Sequence, residues 1–119
     1  MPAADPAPHL PLKPVDLQLL LALAQEEQHG YGLVQAIEQA TDGLVRLDPG
    51  NLYRVIRRLM SDGLVTGSAR RPAPDANDER RRYYRLTALG ERVLAAELRR
   101  LQAFMKSPAV RTIVQGWAT

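Results

Sequence analysis

DPGNLYRVIRRLMSDG, residues 48–63, reads as a single helix with both ends marked. Asp48 has the side-chain oxygen an N-cap needs, and Pro49 suits the first helical position, where its fixed φ helps and its missing N–H is no loss. Gly63 is a C′ candidate, able to take the left-handed conformation that closes many helices. Leu52, Val55, Ile56, Leu59 and Met60 recur at i, i+3, i+4, i+7 and i+8, the period of one helix face. Opposite them stand Asn51, Arg54, Arg57, Arg58 and Ser61, with Tyr53 on the edge. A helix buried along one side that presents arginines and hydrogen-bonding groups along the other has the profile of one lying in a DNA major groove. An ordinary amphipathic surface helix fits this stretch equally well. The neighbouring sequence separates the two.

Upstream, residues 31–41 form another helix, with Leu33, Val34 and Ile37 apolar and Gln35, Glu38 and Gln39 outward. Thr41, Asp42 and Gly43 break it, and residues 44–47 read as a short extended linker or β-bridge. Helix, short connection, groove helix is helix-turn-helix order. Residues 14–28 read as the first helix, opened by Pro14 and Asp16 and stopped by Gly30. Its leucines, Leu17, Leu20 and Leu21 with Leu19 and Leu23 beside them, suffice for two surfaces: a domain core and a second subunit. Residues 1–12 hold four of the nine prolines and no apolar period, the composition of a disordered or extended arm.

Downstream, residues 64–69 and 80–86 (RRRYYRL) are strand candidates around the polar segment RRPAPDANDE, residues 70–79. Two strands and a basic loop after the groove helix make a wing. Alternation puts Tyr84 and Leu86 on the core face and Arg81, Tyr83 and Arg85 on the side of solvent or DNA. Thr87 is an N-cap for a long helix running to about residue 106. Within it Leu94, Leu98, Leu101 and Met105 are spaced 4, 3, 4, a coiled-coil seam that points to a second copy of the chain. Packing back on the first helix is the alternative. Ser107 and Pro108 restart a helical pattern whose stripe ends at Trp117, the single tryptophan and a candidate ligand contact beside its commoner role in packing.

Composition narrows the classes. With 119 residues and 45% hydrophobic content, one domain is expected, and an oligomer interface would supplement a modest core. Net charge is only +3, yet residues 46–85 carry ten arginines against five acids, so the positive charge is concentrated in the middle of the chain. Arginine outnumbers lysine fourteen to two, and its fork suits phosphates and guanine edges. Cysteine is absent and there are two histidines, so no metal site or cofactor is expected. No apolar run approaches the roughly 18 residues of a membrane span, and no signal-peptide pattern opens the chain, which reads as cytoplasmic.

HGYGLVQAIE at 29–38, DPGNLYRVIRRLMSDGLV at 48–65 and RRYYRLTALGERVL at 81–94 together resemble the PadR family of bacterial transcriptional regulators. The resemblance runs from about residue 15 to residue 101, and its most specific parts are PG-x-LY, RL-x-x-DGL and YYRLT-x-x-G. It implies a mainly α fold with a small β-hairpin: a winged helix-turn-helix plus a long C-terminal dimerisation helix, as in the family's short subgroup. It also implies dimers held by the first and last helices, repression at inverted-repeat operators with ATGT and ACAT halves, and release by small aromatic molecules. Asn51 stands where the family usually has Thr or Ser, and Arg54 where it has Pro.

The expected organisation is therefore an arm at 1–12, a winged helix-turn-helix DNA-binding domain at 13–86, and a dimerisation helix with a short amphipathic tail at 87–119. The expected function is a dimeric, sequence-specific repressor of transcription. Tyr31, Asn51, Tyr53, Arg54, Arg57 and Arg58 would meet the groove or its phosphates, and Arg70, Arg71, Arg81, Tyr83 and Arg85 the backbone or minor groove. Leu17, Leu20, Leu94, Leu98, Leu101 and Met105 would form the dimer interface. The alternative is a winged-helix module that binds protein rather than DNA, whose recognition face would be mixed or acidic. An enzyme is not indicated, because nothing pairs a nucleophile with a base and Gly30 and Gly32 do not make a phosphate loop.

Overall fold

Five helices and three short strands make up the regular structure of the described residues, 4–69 and 82–117 of this computed structural model. In chain order they are α1 (Pro14–Gln25), β1 (Gln28–His29), α2 (Gly30–Ala40), α3 (Pro49–Ser61), β2 (Val65–Gly67), β3 (Tyr83–Leu86), α4 (Ala88–Met105) and α5 (Pro108–Gly116). A 3-10 turn at Ala7–His9 precedes them.

The ends of α3 follow from their residues. Asp48 is extended and its Oδ1 accepts from the Asn51 N–H at 2.9 Å, satisfying a donor the helix leaves over. At the other end Gly63 takes φ +80°, Gly63 N–H donates to Met60 O and Leu64 N–H to Leu59 O. That pair of bonds is a Schellman closure, which a side chain at position 63 would strain. Leu52, Ile56 and Leu59 are about 1% exposed and form the inner stripe. They meet Leu19, Leu20 and Leu23 of α1, Leu33 and Ile37 of α2, Val65 and Leu86 of the sheet and Val93 and Leu94 of α4 in one core. Truncating such a leucine to alanine costs about 2–5 kcal/mol.

α2 and α3 are joined by residues 41–48. Thr41 organises that connection: its Oγ1 donates to Ile37 O at 2.8 Å and accepts from Val45 N–H at 3.0 Å. The sheet has the order β1-β3-β2, antiparallel throughout, with Val65 opposite Leu86 and His29 opposite Tyr83. As alternation requires, Tyr84 and Leu86 are buried while Arg85 is exposed.

Four expectations change. The third strand is Gln28–His29, where the sequence suggested continued helix, and not residues 44–47. Pairing with β3 takes up the backbone there, so α1 ends at Gln25. Gly30 accordingly opens α2 instead of stopping α1, and a Cβ on it would lie 2.8 Å from Tyr53 Oη. The arm also differs: from Leu10 on it lies against the core, and Leu12 N–H donates to Glu97 Oε2 at 2.8 Å. Two apolar side chains and one buried carboxylate hold a segment whose prolines suggested none of this.

α4 begins at a tight joint. Thr87 Oγ1 accepts from Gly90 N–H at 2.9 Å and donates to Gly63 O at 2.6 Å. A Cβ on Gly90 would overlap the Leu64 carbonyl oxygen, so the glycine permits α4 to cross the end of α3. The distal half of α4 and all of α5 leave the core, with Leu98, Phe104, Met105, Ile113, Val114 and Trp117 exposed. Their projection accounts for a radius of gyration of 16.4 Å, against about 13–14 Å for a compact domain of this length.

Candidate nucleic-acid interface

Arg54 and Arg57 are exposed on the side of α3 opposite the buried stripe, with Ser61 one turn on. Arg57 Nε reaches back to Tyr53 O at 3.4 Å, a bond in which its two Nη atoms take no part. Asn51 is exposed at the helix start, where its Nδ2 donates to Asp48 Oδ2 at 2.7 Å. The capping carboxylate thus fixes both the Asn51 backbone and its side-chain orientation. Tyr31, two-thirds exposed, stands on the first turn of α2. The His29 ring caps that helix by accepting from Gly32 N–H at 3.0 Å through Nδ1.

Three elements converge around His29 and Gly30. The Tyr53 phenol lies against Gly30, and the Tyr83 ring meets His29 edge to face at 5.3 Å. Burial pushes the Tyr84 phenol up, helped by Tyr53 and opposed by the charges of Arg82 and Arg57. Arg85 is exposed on β3, its Nη1 3.4 Å from Leu86 O.

Arg58 is elsewhere. It lies on the flank of α3, where Nη2 donates to Asp16 Oδ1 at 2.6 Å, and the Asp16 side chain is only 6% exposed. The hydrogen bond to Asp16 raises the Arg58 pKa against the opposing effect of burial. Arg70, Arg71 and Arg81 lie outside the described residues. Of the expected interface residues, Leu20 and Leu94 are buried in the protomer's own core, 0% and 5% exposed. α1 and α4 pack on each other there. Leu17 and Leu101 are half-buried, and Leu98 and Met105 exposed. Trp117 is exposed at the end of α5.

Arg82, Glu97 and the pairing of Asp16 with Arg58 escaped the sequence reading. Arg82 was signalled by the arginine run before YYRL. Nothing near Asp16 in the chain signals Arg58, 42 positions on, and although Glu97 has Arg100 three positions on, its bond from Leu12 comes from 85 positions away.

A helix-turn-helix with a basic outer face, backed by an antiparallel wing, defines a winged-helix DNA-binding protein. Residues 19–96 match the model of the transcriptional regulator PadR-like family, and the chain belongs to that family of transcriptional regulators. It is 33% identical over 88 residues to the Mycobacterium tuberculosis transcriptional regulator Rv3488, covering 74% of this chain and 76% of that one. The fold is similar to a PadR-like transcriptional regulator from Bacillus cereus, with TM-score 0.65, 24% identity and 86% and 92% of the two chains covered. It is also similar to RosR of H. salinarum, with TM-score 0.66, 23% identity and 90% of each chain covered. No helix among the described residues is long and apolar enough to cross a membrane.

Proposed function

We propose that the chain is a sequence-specific repressor that binds inverted-repeat operators as a homodimer, with α3 in the major groove. The observation that carries this reading is the outer face of α3, where Arg54 and Arg57 are exposed and make no ion pair among the described residues. Exposed forked cations on a rigid, capped helix suit guanine edges, whose O6 and N7 accept two parallel bonds. The start of α2 and the exposed Arg82 and Arg85 of the wing flank that helix and would take the phosphates.

Dimerisation is supported by what the core leaves uncovered. Leu98, Phe104 and Met105 continue α4 beyond its own domain with their apolar surface in water. Covering a leucine side chain contributes about 1.5–3 kcal/mol. A second copy supplies that cover and the second reading head a palindrome needs. For release by a small aromatic effector, the support is a groove of about 530 Å³ between α1 and α4. Leu23, Leu86, Leu94 and Leu98 line it, with Glu26, Glu27 and Arg85 among its polar groups. A ring could lie on that floor, next to the interface and the wing.

The test is selection of duplexes from a random pool by the purified protein, followed by titration at several salt concentrations. Enrichment of a palindrome, with affinity falling as salt rises, is the expected result. Enrichment of nothing, with no salt-dependent binding, would refute it.

A further inference from the structure

Arg58 differs from the other two arginines of α3 in having its charge engaged. Its guanidinium is 2.6 Å from Asp16 and 4.0 Å from Asp62, and the Asp16 side chain is 6% exposed. A carboxylate so enclosed is costly to leave without a hydrogen-bonded partner. If Arg58 turned to a DNA phosphate, that buried charge would be stranded, at a cost a single exposed phosphate contact does not offset.

We propose that Arg58 is the positioning residue of the recognition helix and does not contact DNA. Its bond to Asp16 ties the last turn of α3 to the first turn of α1 and so sets the angle at which Arg54 and Arg57 are presented. This rests on the DNA-binding reading above. The apolar stripe of Leu52, Ile56 and Leu59 holds α3 to the core, but apolar burial has no directional preference. A short charge-assisted hydrogen bond between positions 42 residues apart does have one. Hydrogen bonds to base edges weaken steeply with distance and angle, whereas attraction to phosphates falls off slowly. A helix that has lost its alignment therefore loses preference for its operator before it loses affinity for DNA in general.

The experiment uses the full chain, a duplex it has enriched from a random pool, and a scrambled duplex of equal length, each titrated across salt. Arg58→Ala should lose tenfold or more of the operator-over-scrambled preference while keeping its scrambled-duplex affinity and its salt slope. Asp16→Asn should do the same, although removing a negative charge would by itself strengthen binding to DNA. Asp16→Asn with Arg58→Gln, which restores a neutral hydrogen bond, should recover more preference than either single change. Should Arg58→Ala unfold at the assay temperature, Arg58→Lys, which keeps the charge and loses the fork, takes its place with the same expectation. A salt slope flattened by about one unit with Asp16→Asn neutral would make Arg58 a phosphate contact and overturn the proposal. Equal loss on both duplexes would also overturn it, reducing the pair to a stability element. A wild-type protein that enriches no duplex would instead remove the DNA-binding reading beneath it, before any variant is made.

Discussion

Alanine at Arg54 or Arg57 removes an exposed cation from α3 and leaves its buried stripe intact. If each arginine reads a base, operator affinity should fall by roughly 1–3 kcal/mol per substitution, with the unfolding midpoint unchanged. Titration of the enriched duplex checks the first and thermal unfolding the second; wild-type affinity in both variants would take α3 out of the groove. Gly90→Ala acts in the opposite sense. Its Cβ would overlap the Leu64 carbonyl oxygen, itself bonded to Thr87 N–H at 3.0 Å, so backbone must move. The expected loss is about 1–3 kcal/mol of stability, read from urea unfolding. The joint also explains why DGL and T-x-x-G occur together in one chain: Gly63, Leu64, Thr87 and Gly90 touch one another.

Among the elements, the wing and α4 divide the work of grip and assembly. Arg85→Ala should weaken binding to operator and scrambled duplex alike and flatten the salt slope by roughly one unit if it meets a phosphate. A defect at one base position would show instead that the wing reads sequence. For α4, Leu98→Glu with Leu101→Glu should yield monomers that lose the operator, as sedimentation and titration would show. An unchanged dimer would put the interface elsewhere. These elements also mark how far sequence can be read. The boundaries of α3 and the start of α4 are legible because Asp48, Pro49, Gly63 and Thr87 act on backbone within a few positions of themselves. β1 is two residues long, too short for any period, and exists because β3 lies beside it. The 4-3-4 seam of α4 shows that a face is apolar but not what it faces: Leu94 turned out to serve the protomer's own core. Arg58 shares its residue type with Arg54 and Arg57; Asp62 at i+4 is legible in the sequence, but the closer carboxylate from α1 is not.

Over the whole molecule, the arm and α4 are tied by one buried acid. Glu97, 1% exposed, accepts from Arg100 Nε at 2.5 Å and from Leu12 N–H at 2.8 Å. The bond from Arg100 holds its carboxyl below the ordinary value near 4.5, against the opposing effect of burial and with help from the Leu12 amide. A folded-state pKa lower than the unfolded one stabilises the fold above the unfolded value and ceases to do so as pH falls through the folded one. Thermal midpoints should therefore drop as pH falls below about 4.5, and less steeply in Glu97→Gln; parallel curves would dismiss the carboxylate as the cause. The Leu12 anchor bears equally on how the sequence can drift. A backbone amide is supplied by every residue type but one, so the bond to Glu97 survives a change of side chain at position 12, where only the apolar packing on the core is at stake, while position 97 has no such freedom. The forbidden substitution at 12 is proline, in an arm that already has Pro6, Pro8 and Pro11 in the residues just before it.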